Sequence, residues 1–247
     1  MKKQWVTYLV LIIIIIFAWE YFSSTNNNVR LFISSPTLIL EYFIQNRADL
    51  TIAFFTTFIE AFLGLLLAVA LSFSLMFLCF HSPRFLNFIM PPMIVSQVVP
   101  VIVLAPFFII FFGVGMTSKI IMAMVISFFP IFINFYQGYK SIPKNINELF
   151  FIYKASKNFM IDNVYLPLSM SSIIAGLKIS STLAVLGAIV AEFTGSKVGI
   201  GKNLFISSIR LQPDLMMASL ILAGLIGFIM YGIILIIEKK YGYWYKK

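Results

Sequence analysis

The chain has 247 residues, of which 61% are hydrophobic and 11% charged, and its mean hydropathy is +0.99. Soluble domains carry about 25% charged residues, and 27 Phe cannot be hidden in a core of this size, so a water-soluble globule is excluded and an integral membrane protein is indicated. The net charge of +9 is read by location rather than by sum, because basic residues collect on the cytoplasmic side of membrane proteins. Cys79 is the single cysteine and His81 the single histidine, which excludes an internal disulfide and a cysteine-rich metal site and removes most hydrolytic zinc chemistry.

At the N-terminus, Met1-Lys2-Lys3 followed by Tyr8 to Ala18 has the basic-then-apolar layout of a signal peptide. Trp19, Glu20, Tyr21 and Phe22 stand where a small-residue cleavage site belongs, so the segment is read as a retained first span over 5–22. Further apolar stretches follow at 52–80, 94–112, 119–138, 173–193 and 215–237. Lipid offers the backbone no hydrogen-bond partners, so each is predicted to be a helix. The second is long enough to tilt or extend beyond the bilayer. The third contains Pro100 and Pro106, which predicts a bend or local unwinding. With the N-terminus placed inside, 11 Lys and Arg fall on inner segments, six on outer ones (Arg30, Arg47, Lys119, Lys197, Lys202 and Arg210), and Lys178 within a span. The expected fold is therefore an all-α integral membrane protein with six transmembrane helices and both termini cytoplasmic. Its parts are a first helix and external segment (1–51), a main transmembrane domain (52–237) and a basic aromatic cytoplasmic tail (238–247), where Tyr241, Tyr243, Trp244 and Tyr245 precede Lys246-Lys247.

Ionisable groups at membrane depth are functional candidates. Glu60 lies about 12 Å into the second span at 1.5 Å per residue, and Glu192 lies near the outer end of the fifth, so both carboxylates are candidates for one outer vestibule. The alternative is that Glu60 pairs with a neighbouring helix and Glu192 reaches the interface. Lys178 is expected to snorkel, and Glu20 to be interfacial. Gln97 and Asn134, beside Pro100 and Pro130, either line a pathway or hydrogen-bond helices together. Gly195-Ser-Lys-Val-Gly199-Ile-Gly201-Lys202-Asn203 is near a phosphate-binding loop but has one residue too many and Asn203 where Ser or Thr is required. Its glycines predict a tight re-entrant turn or a small-xxx-small helix contact. No catalytic or metal site is predicted.

The 139–172 segment, YKSIPKNINELFFIYKASKNFMIDNVYLPLSMSS, is longer than a connector and falls on the cytoplasmic side. Asn147 before Glu148 predicts a helix start, and Leu149, Ile152, Tyr153 and Met160 recur at helical spacing before Leu166-Pro167 interrupts. Such an apolar face needs cover, from the bundle itself or from a partner. The segment resembles the EAA loop of permease subunits of bacterial ABC importers. Glu148 takes the place of the family's Glu, Ala155-Ser156 follow the loop's Gly position, and Leu166-Pro167 match the Leu-Pro. Ile174-Ala-Gly176-Leu177-Lys178 resembles the family's entry to the next span. Beyond the loop, Ser96-Gln97-Val-Val-Pro100, Leu104-Ala105-Pro106, Phe112-Gly113-Val-Gly115, Phe128-Phe129-Pro130 and Ala191-Glu192-Phe193-Thr194-Gly195 are similar, in the same order, to nitrate/sulfonate/taurine-type permeases. Leu149-Phe150 replace the Ala-Ala pair, Lys154 the Gly, and Ser171 a second Pro. Glycine permits a tight turn and close approach, so Lys154 implies altered contacts.

The resemblance implies a coupling helix between spans four and five that docks on a cytoplasmic ABC ATPase, with Glu148, Ala155, Ser156 and Lys157 on the docking surface and Leu166 and Pro167 setting the exit toward span five. It implies the membrane subunit of an importer in the bacterial inner membrane, working as a homodimer with a periplasmic or lipoprotein solute-binding protein. Glu60, Gln97, Asn134 and Glu192 are the candidate pathway residues. No cofactor is implied for this chain, since ATP is used by the partner ATPase, and the chain is not expected to be an enzyme. Similarity to thiamine-precursor pyrimidine and riboflavin permeases suggests a heterocyclic substrate ahead of sulfonate, taurine or nitrate, and a carboxylate in the pathway would disfavour an anion. The alternative class is a self-sufficient channel or secondary transporter.

Overall fold

The computed structural model describes residues 2–25, 32–96 and 100–241. Among them the regular structure is entirely helical: α1 (Lys2–Thr25), α2 (Pro36–Gln45), α3 (Arg47–His81), α4 (Pro83–Ser96), a 3-10 turn (Val101–Leu104), α5 (Ala105–Phe112), α6 (Met116–Lys140), α7 (Lys144–Ile152), α8 (Lys157–Met160), a π turn (Ile161–Tyr165), α9 (Leu166–Phe193), α10 (Ile200–Arg210) and α11 (Pro213–Tyr241).

Among the described residues four helical runs are long and apolar enough to cross a membrane: Arg47–His81, Met116–Lys140, Lys157–Phe193 and Pro213–Tyr241. They correspond to the second, fourth, fifth and sixth expected spans. The first expected span falls in α1, where the apolar run is shorter, Val10–Thr25. The third is not one helix. Among the described residues it is divided between the end of α4, the 3-10 turn and α5, with Pro100 just before the turn and Pro106 in the first turn of α5, each lacking a backbone donor. The fifth begins earlier than expected: Leu166-Pro167 does not interrupt it, since the π turn before them passes the chain into α9 with Pro167 in its first turn, where a missing N–H costs little.

At the centre α6 packs between α9 and α3. The helices close on small residues. A Cβ on Gly187 would stand 2.7 Å from the Ala123 Cα, and one on Gly64 2.9 Å from the Ile120 carbonyl oxygen. Hydroxyls cross the same seams, Ser180 donating to the Ser127 carbonyl at 2.7 Å and Ser72 to that of Phe128 at 3.3 Å. This is how helices associate where lipid is as apolar as leucine. The bundle has two polar ends: one carries α7, α8 and the C-terminus of α3, the other α2, α10 and the 194–199 glycine loop. At the second end Trp19 Nε1 donates to the Ser34 carbonyl at 3.1 Å, Thr37 donates to the Glu20 carboxylate through N (3.0 Å) and Oγ1 (2.7 Å), and Ser34 Oγ donates to Asp214. Glu20 thereby sits at the positive end of α2 and ties α1 to the bundle.

Candidate functional site

The first feature is the helix-turn-helix of α7 and α8. α7 begins at Lys144, three residues before the expected Asn147-Glu148 start, just after Pro143, whose carbonyl accepts from Ile146 N at 3.1 Å. Glu148 is exposed, as are Leu149 (49%), Ile152 (75%) and Tyr153 (75%). Lys154 has φ +52°, the left-handed conformation that glycine normally supplies after a helix, and Ala155 N closes the turn on the Phe150 carbonyl at 3.0 Å. The replacement of glycine by Lys154 therefore retains the backbone turn, at a conformational cost. Ser156 caps α8, accepting from Phe159 N at 3.2 Å. Phe150, Tyr153, Ala155, Ser156 and Phe159 line a hollow of about 390 Å³ between the two helices.

Lys157 is exposed at the start of α8. Its ammonium turns back to the bundle and donates to the His81 carbonyl at the end of α3, at 3.1 Å. The His81 ring lies 2.9 Å (Nδ1) from the Phe77 carbonyl oxygen and 3.1 Å (Nε2) from Asn158 Oδ1. Leu166 packs against the core and Pro167 occupies the first turn of α9.

The second feature is a buried charged cluster at the opposite end. Glu60 of α3, Lys119 of α6 and Glu192 of α9 are 1%, 6% and 1% exposed. Lys119 Nζ is 3.5 Å from Glu60 Oε1. Glu192 accepts from Thr57 Oγ1 at 2.6 Å and from Gly201 N at 2.5 Å, and Thr57 Oγ1 accepts in turn from Ile200 N at 2.9 Å. A carboxylate thus sits on the N-terminus of α10, where free amides and the helix dipole favour negative charge. The local sequence explains the fit. Gly199 has φ +142°, and a side chain there would collide with the Glu192 carboxylate; one on Gly201 would come 2.8 Å from Glu192 Cβ. Of the two readings of the glycine segment, the turn is the one formed. Isolated buried charges are prohibitive; here two carboxylates share one ammonium, one hydroxyl and one helix terminus, and four helices (α3, α6, α9, α10) are cross-tied.

The structure brings Glu60 and Glu192 together, each 1% exposed in this chain, with Glu60 paired to α6 through Lys119 and Glu192 held to α3 and α10. Asn134 also faces packing: its Nδ2 donates to the Pro130 carbonyl at 2.8 Å, and its Cβ lies where a side chain on Gly176 of α9 would be, 2.8 Å away. Gln97 lies outside the described residues. Lys178, expected to snorkel, pairs with Glu238 of α11 at 2.7 Å. Thr57 and Lys119 are the members that sequence reading missed. By position Lys119 reads as an outer charge, although two intramembrane carboxylates call for a cation. Among the described residues no group of three or more His, Cys, Asp or Glu is arranged to hold a metal ion.

Residues 61–243 match the family of binding-protein-dependent transport system inner membrane components. The formylaminopyrimidine transport permease of Halalkalibacterium halodurans is 35% identical over 163 residues, 64% of this chain and 65% of that protein. A probable ABC transporter permease of Haemophilus influenzae is 27% identical over 231 residues, 94% of each chain. The riboflavin transport system permease of Chloroflexus aurantiacus is 32% identical over 154 residues, covering 62% of this chain and 58% of that one. The chain thus spans under two thirds of the length of the pyrimidine and riboflavin relatives, and nearly all of the Haemophilus one. By this match and by its apolar helices, the chain belongs to the binding-protein-dependent transport system inner membrane components, the multi-pass membrane permeases of ABC transporters.

Proposed function

We propose that the chain is the membrane-spanning subunit of an ATP-driven importer in the bacterial inner membrane, and that α7 and α8 form the face on which a cytoplasmic ABC ATPase docks. The observation that carries this is the capped helix-turn-helix at 144–160, with Ile152 and Tyr153 three-quarters exposed and a continuous helical exit into α9. An amphipathic helix docked in a partner's groove transmits rigid-body motion. Glu148, Ala155 and Ser156 belong to the docking face; Lys157, Leu166 and Pro167 hold that face to the bundle. A self-sufficient channel would leave the exposed apolar loop without a purpose.

In this reading the loop end is cytoplasmic, α1 and the α4–α5 region complete six spans, and both termini are inside. The permease unit is 52–237, flanked by the first helix and external segment (1–51) and the basic tail (238–247). A periplasmic or lipoprotein solute-binding protein delivers substrate at the glycine-loop end. The chain binds no cofactor and hydrolyses no ATP; the partner ATPase does. The 3-10 turn at Val101–Leu104, where Ile102 is 60% and Val103 55% exposed, supports a homodimer, since departures from α-helix at membrane depth are tolerated only against protein or a water-lined path. Gln97, outside the described residues, and Asn134 are the pathway candidates, with Glu60 and Glu192 held in the buried cluster. Burial of Glu60 and Glu192 removes the charge argument against an anion, so the substrate assignment rests on similarity: a pyrimidine-like or flavin-like heterocycle, ahead of sulfonate.

The test is affinity purification of the tagged chain from its native host in mild detergent. An ATPase that accompanies wild type and is lost from Glu148→Ala or Tyr153→Arg supports the reading. Recovery of the chain alone, even after cross-linking through 139–172, overturns it in favour of a channel or secondary transporter.

A further inference from the structure

Three helical runs reach from the loop end to the charged cluster: α3, α6 and the run entering α9. They differ in stiffness. α6 contains Pro130 midway, which removes one hydrogen bond from its ladder. The run into α9 passes through the π turn at 161–165, a local departure from α-helical winding. α3 has no proline in 35 residues, and its Gly64 is closed over by Ala123. From His81 to Thr57 it spans about 36 Å at 1.5 Å per residue.

α3 is also held at both ends by polar contacts that leave it. At the loop end, Lys157 donates to the His81 carbonyl and Asn158 meets the His81 ring. A cation on the last carbonyls of a helix is favoured by the helix dipole. The ring itself is seated on α3, 2.9 Å from the Phe77 carbonyl and with its centroid 4.5 Å from that of the Phe77 ring, so it moves with the helix rather than with the loop. At the far end, Thr57 and Glu60 of α3 engage Glu192, the α10 N-terminus and Lys119. His81 lies on α3, and Asn158, turned to the His81 ring, is not among the residues assigned to the docking face.

We infer that His81 is a positioning residue for energy coupling: with Asn158 and Lys157 it clasps the docking loop to α3, and α3 carries loop displacement as a stiff rod to the Thr57–Glu192–α10 cluster at the opposite membrane face. This rests on the proposed ATPase docking at α7 and α8. A rigid element held at two ends converts a shift at one into a shift at the other, which a kinked helix absorbs.

The experiment uses the full chain purified with its ATPase, in a Cys79→Ser background carrying Lys197→Cys as a reporter in the exposed glycine loop. The rate of maleimide labelling is compared without nucleotide and with ATP plus vanadate. The expected result is a nucleotide-dependent change in labelling that is lost in Asn158→Ala and His81→Ala while the ATPase stays bound, and retained in His81→Gln, whose amide still reaches Asn158. Asn158 is exposed on the loop, so its variant folds even if the His81 change does not. Nucleotide-dependent labelling unchanged in both alanine variants overturns the rod while leaving docking intact. Loss of the ATPase from those variants also overturns it, by making the clasp part of docking. Absence of ATPase or of any nucleotide response in the parent chain overturns the docking reading and this inference together.

Discussion

The Thr57 hydroxyl makes two contacts that no other group in the cluster replaces. It donates to Glu192 Oε1 at 2.6 Å and accepts from Ile200 N at 2.9 Å, with Ile200 0% exposed. Thr57→Val keeps the shape and removes both. Interhelical hydrogen bonds in membranes average about 0.6 and reach about 1.7 kcal/mol; the orphaned amide adds about 1–3 kcal/mol, because no water replaces its lost partner. The expected loss is about 2–4 kcal/mol, most of it from the orphaned donor rather than the broken bond. On the scale of chains of this size, that is a fall in Tm of about 5–15 °C. Thermal unfolding in detergent measures it, and hydrogen exchange at Ile200 and Gly201 reports whether the α10 N-terminus has come loose. Thr57→Ser, which keeps the hydroxyl, is expected to lose only the methyl contribution of about 1 kcal/mol. A Thr57→Val protein with wild-type Tm and unchanged exchange at these amides would refute the reasoning.

Outcomes at four further positions are expected. Lys154→Gly relieves a left-handed conformation costing about 1–2 kcal/mol, offset in part by glycine's unfolded-state freedom, so Tm rises slightly, whereas the β-branched Lys154→Val lowers it. Lys119→Met leaves two carboxylates buried without a cation and destabilises by about 3–5 kcal/mol; adding Glu60→Gln recovers part of this, as a double-mutant cycle in thermal unfolding will show. Gly187→Ala forces a Cβ against the Ala123 backbone at 2.7 Å and costs about 1–3 kcal/mol. Gly224→Ala on α11, with nothing within 4 Å, is neutral or stabilising in the same assay.

The membrane character, the helices of α3, α6, α9 and α11, and the unusual 139–172 loop were legible because each is a local property of composition or periodicity. The break in the third span was legible for the same reason, since proline acts on its own neighbours. Other features were not. Lys119 sits three residues into α6 and reads as a loop charge until α3 and α9 bring Glu60 and Glu192 to it, from 59 and 73 positions away in the numbering. Thr57 looks like any intramembrane threonine, whose default partner is its own helix, and indeed it also lies 3.1 Å from the Ala53 carbonyl. Lys157 lies on the loop expected to dock, yet its flexible stem reaches back to α3, which sequence spacing does not encode. Lys154 shows the reverse: a departure from the glycine pattern that suggested changed geometry, where the backbone nevertheless takes the turn that glycine would give.

Site-specific cross-linking at the loop tests the central claim most directly. In a Cys79→Ser background, a short bifunctional thiol reagent is applied to membranes of the native host carrying Tyr153→Cys on α7 or Lys197→Cys at the opposite end. Tyr153→Cys is expected to capture an ABC ATPase in a yield that ATP alters, while Lys197→Cys captures none. Capture of the ATPase only from Lys197→Cys, or a Tyr153→Cys chain that reacts fully with monofunctional maleimide yet never joins to an ATPase, would contradict it.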